Sequence, residues 1–187
     1  MNHYDDVAKF NEAFGCFRNP RPMMLLPDDV LAMRRKLIAE EFAELTAAIL
    51  AGDRVEIADA CADLAYVCLG WLWAVRWDTK KIVRCRGLDA MTFAKMIAMG
   101  AETIQKTAEP FWVELMFDDA LNLGFAYGFP MDEIWAEVQR SNMAKLQPDG
   151  TVKRRDDGKI LKPDGWTPPD IRGILERADV RKNEVNQ

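Results

Sequence analysis

The chain predicts an all-α bundle, and two features of its 187 residues carry that expectation. Pro20, Pro22 and Pro27 stand close together and no proline follows until Pro110, so a long stretch lacks the residue that breaks helices. Within that stretch apolar residues recur at three- and four-residue intervals, the period of a helix with one face against a core.

The elements follow in order. A short first helix over about 4–15 ends at Gly15, and 16–27 reads as a loop. Asp28 or Asp29 caps a long second helix that runs to Gly52, with Met33, Leu37, Ile38, Leu45 and Ile49 at helical spacing. Asp53 caps a third, reaching about Arg76. The tight turn at Gly52 makes the second and third helices antiparallel neighbours. A fourth pattern spans about 88–107 and a fifth about 111–127. Pro130 and Asp132 open a sixth, whose buried stripe is Ile134, Trp135, Val138 and Met143. After Leu146 the composition changes to turn residues and a basic run. There Asp157-Gly158, between Val152 and Ile160-Leu161, signals a β-hairpin. The expected organisation is one all-α domain over 1–146, with 147–187 a basic loop or hairpin and a tail packed on it. The last dozen residues are polar enough for disorder.

Composition excludes several functions. Lys+Arg 25 against Asp+Glu 30 leaves a net charge of -5, without the basic excess of a dedicated nucleic-acid binder. The longest apolar run, Leu64 to Val75, is shorter than the roughly 18 residues a membrane helix needs. Asp5, Asp6, Lys9 and Glu12 occupy the place of a signal peptide's apolar segment. Cys16, Cys61, Cys68 and Cys85 form no CxxC pair and read as reduced, cytoplasmic thiols. With His3 the only histidine, zinc sites and histidine-based triads lack their parts, and any metal must be held by carboxylates.

The carboxylates are misplaced for a soluble helix pair. At about 100° per residue, Glu40, Glu41 and Glu44 share an arc with Leu37 and Ala48, at the edge of the core-facing stripe. On the third helix Glu56, Asp59 and Asp63 fall within about 60° of one another, surrounded by alanines, Ile57, Cys61 and Leu64. If the two arcs face each other, four to six acids converge. Two like charges about 4 Å apart cost on the order of 4 kcal/mol at an effective dielectric near 20, so protons or cations must enter. Oxygen-only ligands favour Mg²⁺, with Mn²⁺ a workable substitute. Each acid also has an ordinary explanation: Glu56 stands at the N3 position of a capping box begun by Asp53, and Glu40 suits a solvated face.

The spacing Glu41-x-x-Glu44, then Glu56-x-x-Asp59 resembles the ExxE and ExxD signature of the all-α nucleoside triphosphate pyrophosphohydrolases, the MazG-like superfamily. The surrounding 37–45 and 56–67 segments, Phe10-Asn11-Glu12-Ala13-Phe14-Gly15, Ser141-Asn142-Met143-Ala144-Lys145-Leu146, and Asp157 to Pro163 with Pro168-Pro169-Asp170 are similar too. The likeness is strongest to the dimeric dUTPase-like and phage MazG-like branch, although Gln139 stands where members often carry His.

The resemblance implies a MazG-like helical bundle that hydrolyses a nucleoside triphosphate between the α and β phosphates, giving a monophosphate and pyrophosphate. It implies two or more Mg²⁺ ions on Glu41, Glu44, Glu56 and Asp59, with Asp63 behind them. Glu40 and Glu41 are the catalytic candidates, Glu40 orienting or deprotonating water. Asn142 and Lys145 are candidates for phosphate and sugar, and Asn11 and Phe14 for the base, although Phe10 and Phe14 also fit plain packing. Lys153, Arg154, Arg155, Lys159 and Lys162 suit a solvated face better than a substrate clamp. The family implies a homodimer or homotetramer, as does the apolar surface of Trp71, Leu72, Trp73 and Val75. The base preference, among dGTP, dUTP and dCTP, stays open. A carboxylate di-iron bundle lacks its histidines. The remaining alternative is a non-catalytic helical oligomerisation or nucleotide-binding regulatory module.

Overall fold

The computed structural model describes residues 2–22, 24–77, 79, 85, 87–154 and 160–185, and among these it forms seven helices and no strand. The helices are α1 (His3–Ala13), α2 (Asp28–Ala51), α3 (Arg54–Ala74), α4 (Ala90–Lys106), α5 (Pro110–Ala126), α6 (Met131–Met143) and α7 (Ile171–Val185). The all-α expectation is met. Of the expected hairpin the described residues show one antiparallel bridge, between Arg154 and Ile160; its Asp157-Gly158 turn lies outside them.

Local chemistry explains most boundaries. Asp53 caps α3 as expected, its Oδ1 accepting from the Val55 and Glu56 amides at 2.9 and 3.2 Å. The N-cap of α2 is Pro27, so Asp28 and Asp29 sit in the first turn, where they face the positive end of the helix dipole instead of capping it. Gly52 takes φ +66 and closes α2 in the left-handed conformation that glycine adopts without penalty. The turn from Gly52 to Asp53 then folds α3 back along α2.

Helix α3 is the spine of the molecule, packed against α1, α2, α5, α6 and α7, while α4 lies on α2 and α5. It is long and apolar enough to cross a bilayer by length and composition, but most of it is buried inside the bundle. Trp71, Leu72, Trp73 and Val75 are almost wholly covered within the chain itself. This corrects the expectation that they present apolar surface to a partner. The sequence shows the apolar content of α3 but not which helices will cover it.

The C-terminal region departs furthest from expectation. Helix α7 continues to Val185, through most of the last dozen residues that their polarity marks for disorder, and docks Ile171, Ile174, Leu175 and Ala178 into the core. Their i, i+3, i+4, i+7 spacing is a helical stripe hidden by the charged residues between them. The segment leading to α7 is pinned to the end of α6. The Trp166 indole donates to Ser141 O at 2.9 Å, Ser141 Oγ to Thr167 O at 3.1 Å and Gln147 Nε2 to Leu161 O at 3.2 Å.

Candidate active site

The antiparallel α2–α3 pair brings the two acidic arcs face to face. Glu41 is half-buried and its carboxyl is pushed up to about 7, first by burial and then by the charges of Glu44, Asp59 and Glu40. Asp59, also half-buried, is pushed up to about 6 by burial, then by Glu56 and Glu44. Asp63 sits behind them and is driven well above the carboxylate range, by burial first and then by Asp59 and Glu41. Glu44 and Glu56 are exposed and form the rim. Five carboxylates from two helices therefore share one electrostatic neighbourhood.

These acids lack the partners that ordinary structural carboxylates have. Among the described residues, Glu41, Glu44, Glu56, Asp59 and Asp63 form no salt bridge and accept no hydrogen bond. Asp59 Oδ1 is shielded from solvent with nothing to bond. Glu56 is not engaged in a capping box, because the Asp53 amide it would reach donates to Ala48 O at 3.2 Å. Glu40 differs: it pairs with Lys36 at 3.7 Å on a largely solvated face and reaches the cluster only through its charge at Glu41.

A lysine faces the cluster. Lys145, just past the end of α6, is half-buried, and burial lowers its pKa while Asp63, Glu41 and Asp59 raise it. Its Nζ donates to Asn142 Oδ1 at 2.6 Å, so the two candidates for phosphate and sugar are joined. Lys162 lies near enough to lower the Lys145 pKa and rests 3.6 Å from the Trp166 ring centroid. The sequence favours a solvated role for Lys162, because nothing local shows that Trp166 and Gln147 tie this segment to α6. Arg154 turns elsewhere, donating to Phe14 O at 2.9 Å, and Arg155 and Lys159 lie outside the described residues.

The expected base contacts are less open. Phe14 is buried and stacks on Phe10 with centroids 4.2 Å apart, as plain packing requires. Asn11 is buried as well, donating from Nδ2 to Val7 O and accepting from Arg34 Nη2 at 3.3 Å. Gln139 links three helices: it accepts from the Tyr66 hydroxyl at 2.7 Å and donates to Asp6 O at 3.0 Å. Arg34 is the residue that sequence reading misses. It shares the buried stripe of α2 with Ile38, Leu45 and Ala48, which is the available signal.

The donor set suits a hard divalent cation: several oxygen donors, a nearby Cys68 that burial keeps as a thiol, and a shielded carboxylate oxygen with no partner among the described residues. Among the described residues, no three acid, histidine or cysteine side chains are already gathered into one ion's coordination sphere.

Residues 7–84 match the phosphoribosyl-ATP pyrophosphohydrolase (PRA-PH) family model. That segment contains all five clustered acids and excludes Asn142 and Lys145. The chain is also similar to the uncharacterized protein L479 of Acanthamoeba polyphaga mimivirus, at 26% identity covering 77% of this chain and 71% of that protein. Its fold is shared with a solved structure of a candidate NTP pyrophosphohydrolase from Exiguobacterium sp. 255-15. The TM-score is 0.55 at 23% identity, over 97% of this chain and 98% of that one.

Proposed function

We propose that the protein is a divalent-metal-dependent nucleoside triphosphate pyrophosphohydrolase that cleaves between the α and β phosphates, giving a nucleoside monophosphate and pyrophosphate. The observation that carries this reading is the set of five carboxylates around Asp59 Oδ1, without partners among the described residues and facing the half-buried Lys145. A cluster that raises Glu41 to about 7 works against the fold on its own and is best explained by charge that enters with a ligand. The family match over 7–84 supports the same chemistry, on a fold that the solved neighbour shares.

Glu41, Glu44, Glu56 and Asp59 would hold Mg²⁺ or Mn²⁺, two or more ions, with Asp63 supporting them from behind. A cation there supplies neutralisation of the triphosphate and acidifies water close to the scissile bond. Lys145 holds phosphate oxygen with the same amine that now bonds Asn142, and Asn142 is then released toward the sugar. In the reaction a water oxygen bonds to the α-phosphorus as the bond from that phosphorus to the bridging oxygen breaks. Pyrophosphate leaves with the bridging oxygen, and the water proton passes to a carboxylate, Glu40 or Glu41.

The finer assignments rest on the resemblance: the dUTPase-like or phage branch, a homodimer or homotetramer, and a cytoplasmic setting consistent with the free thiols of Cys61 and Cys68. A second reading comes from the matched model, whose described substrate is a phosphoribosyl-ATP. One experiment tests both: pyrophosphate and phosphate release are measured with Mg²⁺ across the nucleoside triphosphates and phosphoribosyl-ATP. Pyrophosphate released in equimolar amount with monophosphate supports the reading. Release of phosphate alone, or no Mg²⁺ dependence, overturns it.

A further inference from the structure

Arg34 is 5% exposed, and among the described residues its one hydrogen bond runs from Nη2 to Asn11 Oδ1. Its Nε–H is shielded from solvent with no acceptor. Among the described residues no carboxylate pairs with it, and the one acidic group whose charge reaches it is the Cys16 thiol. A guanidinium stays protonated inside a protein, so a permanent charge is held in the core with most of its donors idle. Tying α1 to α2 through Asn11 uses one donor and does not call for the rest; an apolar side chain of similar volume would fill the space without the desolvation penalty.

The register of α2 against α3 shows where this charge points. Glu41 interacts with Asp63 near the acid cluster. Arg34 lies opposite Gly70, with Nη1 only 2.6 Å from where a Cβ on that residue would stand, so glycine makes the room it occupies. Arg34 precedes Glu41 by seven residues and Gly70 follows Asp63 by seven, so both contacts belong to one antiparallel register. Seven residues are two turns, which returns to the same face about 10 Å along the pair. That is the reach of a nucleoside from its α-phosphate to the far edge of the base.

We propose that Arg34 reads the base, and that the substrate class is guanine nucleoside triphosphates. This rests on reading the acid cluster as the phosphate end of the site. Guanidinium donors demand acceptors, and guanine O6 and N7 offer two side by side, matched to the fork of an arginine. Adenine puts an amino group in place of O6, setting donor against donor and leaving the buried charge unmet. The pyrimidines lack the adjacent pair.

The test uses the wild-type chain first. Pyrophosphate release is measured with dGTP, dITP, 7-deaza-dGTP, dATP, dCTP, dUTP and phosphoribosyl-ATP, and dGMP and dAMP are titrated calorimetrically as a readout free of turnover. The expected result is a kcat/KM for dGTP and dITP about tenfold or more above that for dATP, with 7-deaza-dGTP falling toward dATP. dGMP should bind tighter than dAMP by a similar factor. Arg34→Met, with its fold checked by circular dichroism, should raise KM for dGTP and close the gap between dGTP and dATP. If that variant does not fold, the wild-type panel decides. Equal use of dATP and dGTP, preference for a pyrimidine or for phosphoribosyl-ATP, or equal binding of the two monophosphates overturns the assignment of Arg34. Absence of turnover with every nucleotide overturns the hydrolase reading instead, and the dGMP against dAMP titration then decides Arg34 by itself.

Discussion

Replacing Glu41 by Gln should stabilise the metal-free protein, in a pH-dependent way that follows from the cluster. In the fold this carboxyl keeps its proton up to about pH 7, whereas in the unfolded chain it loses it near the ordinary value of 4.5. Between those values the folded state binds more protons than the unfolded one, so this group's contribution is complete below about pH 4.5 and is lost as pH rises through 7. A shift of that size corresponds to about 3 kcal/mol, an upper bound because Asp59 and Glu44 share it. The amide of Glu41→Gln keeps the shape without the charge. In EDTA at pH 8 the variant's thermal midpoint should exceed that of the wild type by roughly 5 to 10 °C for a chain of this length. At pH 5 the two should nearly coincide. Mg²⁺ should raise the wild-type midpoint at pH 8, do little at pH 5, and do little for Glu41→Gln at either pH. Unfolding followed by circular dichroism in EDTA and in Mg²⁺ gives all of these values. A variant destabilised equally at both pH values, or a wild type that grows more stable from pH 5 to 8 in EDTA, would refute the reasoning.

Other consequences are open to equally direct checks. Glu41→Gln and Asp59→Asn should each lower Mg²⁺-dependent pyrophosphate release by about 100-fold or more while far-UV spectra stay native, since each removes charge that must hold the cation in the transition state. Lys145→Met should raise KM for the triphosphate by about tenfold through loss of a charge-assisted hydrogen bond. It should also move the Glu41 and Asp59 titrations upward in a carboxyl-detected NMR titration, because Lys145 now lowers both. Leu175→Ala should cost about 2–4 kcal/mol in denaturant unfolding, showing that α7 is part of the cooperative core.

Much of this is legible in the sequence, for reasons that particular residues make plain. Helical periodicity places Glu41, Glu44, Glu56, Asp59 and Asp63 on two arcs, and the short turn at Gly52 makes the two helices neighbours; that the arcs face each other is set by packing. Asp53 announces its own cap. What stays hidden depends on partners distant in the chain. Trp71 and Trp73 read both as packing within an apolar helix and as surplus apolar surface, and nothing local reveals that the bundle covers them. The α7 stripe at Ile171, Ile174 and Leu175 is diluted by Arg172, Glu176 and Arg177, so mean polarity masks it. Arg34 sits in an apolar stripe, and its idle donors become visible only when Gly70 and Asn11 are brought against it. Lys162 gains its place beside Lys145 through Trp166 and Gln147, a tie of side chains to backbone that spacing does not encode.

The central claim is that Glu41, Glu44, Glu56 and Asp59 converge on divalent cations. Crystals grown with Mn²⁺ and a non-hydrolysable nucleotide, measured for anomalous scattering, test it most directly. The account predicts manganese peaks within coordination distance of Asp59 Oδ1 and the neighbouring glutamates, lost in Asp59→Asn. Manganese bound elsewhere, with these carboxylates turned away from it, would contradict the account.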